Sequence, residues 1–231
     1  MPPTHKLKPF LGKNQNERKI GIVGLPNIGK STLFNALTNY AIRVERMGLS
    51  SVDPEECRVT VPDARYDWLC ELYKPKYLLP PFLLVRDIQG LGLGDTFTSQ
   101  VRSVDGFFHM VRAFEDETVV HYEGDIDPIR DMEMIQEELR LKDVEYILKV
   151  QEEKSKFSRS DAVNYEKKAE LKLLERLIKW VEEGKSQVRH GDWSDKDVEF
   201  IVNYELLTFK PVVYLINVSE ADYFKKRNKW L

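Results

Sequence analysis

Residues 19–32 read KIGIVGLPNIGKST. A short apolar run, Ile20-Gly21-Ile22-Val23, leads straight into Gly24-x-x-x-x-Gly29-Lys30-Ser31. This is the phosphate-binding loop pattern of a nucleoside triphosphatase. A strand signal precedes it and a helical run, Leu33-Phe34-Asn35-Ala36-Leu37, comes after it, as the mechanism requires. Main-chain N–H groups from Leu25 to Thr32 are expected to wrap the phosphates, aided by the positive end of the helix. Lys30 supplies a point charge to the β- and γ-phosphates, and Ser31 offers its hydroxyl to Mg²⁺. The competing reading is a Gly-rich strand–helix turn with a surface lysine.

Such a loop needs a carboxylate on the metal side, at the end of a neighbouring strand. Leu83-Leu84-Val85-Arg86-Asp87-Ile88-Gln89-Gly90 is an apolar strand ending in D-x-x-G. Asp87 is therefore assigned to Mg²⁺, and the Gly90 N–H to the γ-phosphate, whose loss it would report. A polar loop, Met47 to Pro54, lies between the two motifs. Ser51 is the expected second hydroxyl for Mg²⁺, with Ser50 as the fallback. Base recognition falls to Asn217-Val218-Ser219-Glu220. GTP-selective proteins carry N-K-x-D here. Val218 replaces the lysine and Glu220 the aspartate, which weakens guanine reading. Adenine presents a ring-nitrogen acceptor and an amino donor, which the Val218 main chain can read.

The 231 residues suit one large domain, or one domain with an insertion. A chain of this size buries roughly 70% of its unfolded surface and needs no staples. Cys57 and Cys70 form no C-x-x-C, which argues against a disulfide framework or a zinc site and fits a reducing compartment. A net charge of −3 and a pI near 5.9 carry no nucleic-acid signature. No apolar run reaches membrane-span length. Residues 1–18 are polar, lack a signal-peptide core and read as a flexible leader.

Apolar runs at Pro80–Val85, Gly106–Val111 and Pro211–Asn217 predict buried strands, and their alternation with helical segments predicts a parallel sheet covered on both faces. Between them, residues 133–184 are dense in Glu, Lys and Leu. Tyr165, Ala169, Leu173, Leu177 and Val181 form one helical stripe, and Leu141, Val144 and Leu148 another. A polar break at Ser155 to Ser160 predicts an antiparallel helical hairpin, inserted into the α/β domain. Ser194-Asp195-Lys196-Asp197 signals an N-cap, with Trp193 and Val198 at staple positions and a helix of roughly a dozen residues beyond it.

KIGIVGLPNIGKST, SVDPEE, DIQGLGLG, GFFHMVRAFED, DPIRDMEMIQEEL and LINVSE, in that order, resemble the Obg-like ATPases, the YchF subfamily of P-loop NTPases. The resemblance runs from Lys19 onward. It implies an α/β fold, a Ras-like, Obg-type G domain over 19–231 with an inserted helical coiled-coil arm. It further implies cytoplasmic ATP hydrolysis with weaker use of GTP, and partners on the ribosome or among translation factors. Matched positions imply that Asn27, Ile28, Gly29, Lys30, Ser31 and Thr32 contact ATP phosphates. Ser31 and Ser51 reach Mg²⁺, although the family usually has Thr at the second position, and Val218 reads adenine. Asn27 resembles the loop Asn of potassium-dependent relatives. Leu91 stands where Ras-like enzymes orient water with Gln, and the family is likewise hydrophobic there. In bacterial members a His in the segment matching Val119-Val120-His121-Tyr122 is associated with that role. His121 is therefore the catalytic candidate beside Lys30, the alternative being a structural histidine.

Three departures from the family stand out. The segment Leu91-Gly92-Leu93-Gly94 is a shortened switch, which bears on hydrolysis. Arg86 replaces an apolar strand residue, so it must reach solvent, find a carboxylate or destabilise the strand. The chain ends at Leu231, where the family continues through another strand, a base-contacting loop and a TGS domain, so an open sheet edge and a partly open base pocket are expected. The leading function is a Mg²⁺-dependent ATPase acting as a translational switch. A non-hydrolysing nucleotide-binding scaffold and, third, a GTPase are the alternatives.

Overall fold

The computed structural model describes residues 18–38, 56–88, 95–157 and 165–230. In chain order the strands are β1 (Arg18–Val23), β2 (Glu56–Thr60), β3 (Phe82–Asp87), β4 (Gly106–Arg112) and β5 (Val212–Asn217). The helices are α1 (Lys30–Thr38), α2 (Ala64–Tyr73), α3 (Asp95–Arg102), α4 (Pro128–Phe157), α5 (Tyr165–Ile178), α6 (Asp195–Asn203) and α7 (Glu220–Lys225). They divide into two compact units. One is an α/β unit over Asn14–Pro128 and Val212–Leu231, and the other a helical unit over Ile129–Pro211.

The α/β unit is built on one sheet of strand order β2-β3-β1-β4-β5. β1 pairs in parallel with β3 and β4, and β4 in parallel with β5. β2 departs from the all-parallel expectation and runs antiparallel to β3. Its residues alternate between exposed and half-buried, as in an edge strand with one packed face. Strands β3 and β5 begin just after Pro81 and Pro211, because proline lacks the N–H a ladder needs. Ile22, Phe34 and Val85 form the buried centre under α1, joined by Leu33, Val59, Leu83 and Phe108. A smaller cluster of Leu25, Ile28 and Met110 supports the loop after β1. The other edge, β5, leaves Val213, Tyr214 and Ile216 substantially exposed.

Arg86 meets one of its three expectations: it finds a carboxylate. On β3 it lies 3.1 Å from Glu56 of the neighbouring strand and donates to Ser103 Oγ at 2.9 Å. The carboxylate is within reach because Glu56 and Arg86 are register partners across the antiparallel pair.

The helical unit corrects one stripe. Leu141 and Leu148 are exposed, and only Val144 of that set reaches the core. The buried face of α4 is Asp131, Ile135, Leu139, Asp143 and Ile147, spaced at every fourth residue. A search for apolar residues misses this face because two of its members are carboxylates. Asp143 is fully buried and accepts from Leu207 N at 2.8 Å, Thr208 N at 2.7 Å and Thr208 Oγ at 2.7 Å. It thereby replaces its lost hydration with three donors. On α5 the expected Leu173 and Leu177 are buried, and Val181 comes next on a single π-helical turn, Lys179–Glu183. Ala169 is exposed, and the Tyr165 side chain lies outside the described residues. Ser194 caps α6 through a capping box with Asp197, and Trp193 and Val198 pack into one core. The helix spans nine residues rather than a dozen.

Removing the Asp143 carboxylate leaves three buried donors unpaired. Asp143→Ala is expected to destabilise the helical unit by about 3 kcal/mol, read as a lowered midpoint in urea unfolding. An unchanged midpoint overturns this account of the buried face.

Candidate nucleotide-binding site

The site assembles at the carboxyl ends of the parallel strands. β1 is flanked on one side by β3 and on the other by β4, so its end is the topological switch point where open α/β sheets form their crevice. The register sets Ile22 beside Asp87 and Val23 beside His109. The loop from Gly24 to Gly29 therefore starts level with the Asp87 carboxylate.

Two glycines shape that loop. A Cβ on Gly24 would meet Met110 O at 2.5 Å and Ile28 Cδ1 at 2.1 Å, so this position admits no side chain. Gly29 has φ of 101° and a built Cβ 2.6 Å from Asn217 Nδ2, which excludes other residues on both conformation and space. Asn27 also adopts a left-handed φ of 60°, which Asn tolerates better than most residues.

Ile28 holds the loop down with its buried side chain, packed with Leu25 and Met110. Asn217 Nδ2 donates to Ile28 O at 2.8 Å, which ties the end of β5 to the loop. Asn27 Nδ2 donates to Val120 O at 3.1 Å, tying the loop to the segment after β4. These two tethers are absent from any motif search, because each joins residues remote in sequence. A lone charge in GFFHMVR was the available signal for a third unpredicted element, Arg112. It is 1% exposed and donates to the carbonyls of Phe114, Asp116 and Val119.

Lys30 opens α1, and its Nζ donates to Leu25 O at 2.8 Å. Burial holds its ammonium below the ordinary lysine value, with the Asp87 carboxylate pulling the other way. Ser31 Oγ donates to Asp87 Oδ2 at 2.7 Å. Asp87 Oδ1 is buried with no hydrogen-bond partner among the described residues. A hydroxyl beside a carboxylate that keeps one oxygen unsatisfied fits Mg²⁺, a hard cation that keeps several waters and takes few protein ligands. Thr32 is exposed on the first turn of α1. Val218 is half-buried, and Glu220 is exposed in the first turn of α7, behind the Ser219 cap. His121 is buried, and its Nδ1 accepts the Glu123 N–H at 3.2 Å. It lines a cleft of 1260 Å³ together with Arg112, Ser219, Asp222 and Trp230. Ser51 and Gly90 lie outside the described residues.

Residues 19–186 match the family described as "50S ribosome-binding GTPase". The chain belongs to that family. Within it, the resemblance to the Obg-like ATPases is shown by individual relatives. Obg-like ATPase 1 of Oryza sativa subsp. indica is 48% identical over 97% of this chain, and that of Homo sapiens 44% identical over 100% of this chain. A solved structure, that of the Schizosaccharomyces pombe YchF GTPase, is 44% identical and superposes with a TM-score of 0.79 over 96% of this chain. The chain spans 58% of the rice relative's length and 62% of the human one's. The family's G-domain fold and its nucleotide-binding phosphate loop are thus shared by this protein. Among the described residues no helix is long and apolar enough to cross a membrane, and no three His, Cys, Asp or Glu side chains cluster as a metal site.

The half-buried, partly desolvated Lys30 ammonium works against folding. Its folded value lies below the unfolded one, so the unfolded chain binds the extra proton between them. The lysine's contribution to stability therefore improves as pH rises toward the ordinary value of 10.5 and is most unfavourable below the folded value. Lys30→Met should raise the ligand-free melting temperature at neutral pH by about 2–4 °C, a gain that shrinks toward pH 10.5. A lower melting temperature at neutral pH contradicts this reading.

Proposed function

We propose that the chain is a Mg²⁺-dependent ATPase of the Obg-like type, working as a nucleotide-operated switch on the translation machinery. The observation that carries the proposal is the Lys30–Ser31–Asp87 constellation, where a half-buried ammonium, a hydroxyl and a carboxylate with an unpaired oxygen converge at the loop. The names of the curated relatives, Obg-like ATPase 1, support hydrolysis of ATP. The family description supports a ribosomal partner, and a cytoplasmic location goes with that reading.

In this proposal, loop N–H groups from Asn27 to Thr32 bind the phosphates, and Lys30 turns from Leu25 O toward the β- and γ-oxygens. Ser31 and Asp87 hold Mg²⁺, with Ser51 as a further hydroxyl, and Gly90 N–H reads the γ-phosphate. Mg²⁺, when bound, neutralises charge that builds on the phosphate oxygens during transfer. Lys30 and the loop dipoles provide fixed positive potential in the same place, so positioning and electrostatics supply most of the rate. The Val218 main chain reads the adenine, while Asn217, engaged with Ile28 O, sets the height of the loop beneath it. Glu220 is too exposed to act as a buried guanine reader. Asn27 is the residue through which potassium would act. Orientation of the attacking water falls to His121.

One observation favours a non-hydrolysing nucleotide-binding scaffold instead. His121 is buried and its Nδ1 is engaged by the Glu123 N–H, which serves the turn rather than a water. GTP is the other competitor, since the matched yeast structure carries the name GTPase.

Phosphate release from ATP with Mg²⁺ decides between hydrolysis and scaffold. Wild type should turn over and Lys30→Ala should lose at least about a hundredfold, about 3 kcal/mol of transition-state stabilisation. Equal, slow release by both proteins alongside intact ATP binding leaves the scaffold standing. Displacement of labelled ATP should need more GTP than ATP, and the reverse order rejects the adenine assignment. Sedimentation with ribosomes should weaken when residues 133–184 are deleted, and unchanged sedimentation removes the arm from the partner surface.

A further inference from the structure

Arg112 closes the strand Gly-Phe-Phe-His-Met-Val-Arg and is, among the described residues, one of the largest fully buried side chains. Its three hydrogen bonds to Phe114, Val119 and Asp116 all go to main-chain oxygens. Nε donates to Phe114 O at 3.0 Å, Nη1 to Val119 O at 3.0 Å and Nη2 to Asp116 O at 3.2 Å. The guanidinium carbon also lies 4.5 Å from the Phe114 ring centre. A planar fork reaches three spread carbonyls of one loop from three separate nitrogens with fixed donor directions, whereas a lysine's three donors sit on a single nitrogen. Burying a guanidinium is unfavourable unless its donors are met, so the loop and the arginine are ordered together.

The clamped loop leads directly to the phosphate loop. Val119 O is held by Arg112, and the next carbonyl, Val120 O, accepts from Asn27 Nδ2 of the phosphate loop. His121 comes immediately after. The chain of contacts runs from the buried guanidinium through two adjacent peptide units to a residue held at φ of 60° in the phosphate loop. From this juxtaposition we propose that Arg112 is a positioning residue for nucleotide binding, acting on the phosphate loop through Val119, Val120 and Asn27. The inference rests on the nucleotide-binding reading above and adds a residue that touches no nucleotide.

The contact chain requires that Arg112 and Asn27 act as one unit. A fluorescent ATP analogue with Mg²⁺ measures affinity in wild type, Arg112→Lys, Asn27→Ala and the double variant. Each single variant should weaken binding roughly tenfold, the loss of one well-placed hydrogen-bond system. The double variant should be no weaker than the worse single one, because the second change acts on a link already cut. Multiplied effects overturn the proposal, as does wild-type affinity in Arg112→Lys. Arg112→Gln, which retains an amide donor without charge, carries the same cycle should Arg112→Lys not fold. Hydrogen exchange on the wild type gives an independent arm. Adding the analogue should slow exchange at the amides of Val119 to His121 together with those of the phosphate loop. Slowing confined to the phosphate loop also rejects the coupling. If the wild type binds no analogue at all, the nucleotide-binding reading itself fails, an outcome distinct from the others.

Discussion

Parallel pairing of β1 with both β3 and β4 is the constraint on which the α/β unit depends. A strand flanked in parallel on both sides delivers three chain ends to the same rim, with no freedom to slide, because a one-residue slip would turn Ile22 and Val85 away from their packed face. The loop after Val23 and the carboxylate of Asp87 reach one level for that reason, and β4 runs three residues further, from His109 to Arg112. Hydrogen bonds then lock the rim. Asn217 reaches Ile28 from β5, and Asn27 reaches Val120 beyond β4.

The rim holds polar groups that do not favour folding. Lys30 is half-buried and donates to the Leu25 carbonyl, Asp87 keeps one oxygen without a partner among the described residues, and Gly24 and Gly29 sit where no other residue fits. In the proposed function, a ligand carrying negative charge and a cation would offset the cost of the Lys30 and Asp87 arrangements. Proteins concentrate such tension at binding sites, supported by a scaffold that is rigid for other reasons. The scaffold here is the packing of Phe34 on Ile22 and Val85, and of Leu25 and Ile28 on Met110.

The helical unit uses a different device. Its core is apolar, yet α4 presents Asp131 and Asp143 from the same buried face that carries Ile135, Leu139 and Ile147. Asp143 gathers the turn at Leu207 and Thr208, so a carboxylate fills the role that a helix cap has elsewhere. The apolar stripe through Leu141 and Leu148 is the wrong face for this reason: periodicity finds burial only where burial and hydrophobicity coincide.

The phosphate loop, Asp87 at a strand end and the N-cap at Ser194 were legible in the amino-acid order. In each, the physics is local: a few consecutive residues set the backbone angles, the helix start or the charge. The relatives' similarity confirms the fold class those motifs imply. The edge strand β2, its antiparallel direction, the pairing of Glu56 with Arg86 and the buried face of α4 were not legible, since each depends on which segments become neighbours. The same holds for the tethers on Asn27 and Asn217 and for the clamp of Arg112 on three carbonyls. Sequence alone determined that a phosphate-binding turn stands between a strand and a helix, because glycine conformation and hydrophobic period are properties of short segments. Only the tertiary structure decided what holds that turn in place, because its hydrogen-bond partners lie about ninety and one hundred and ninety residues away.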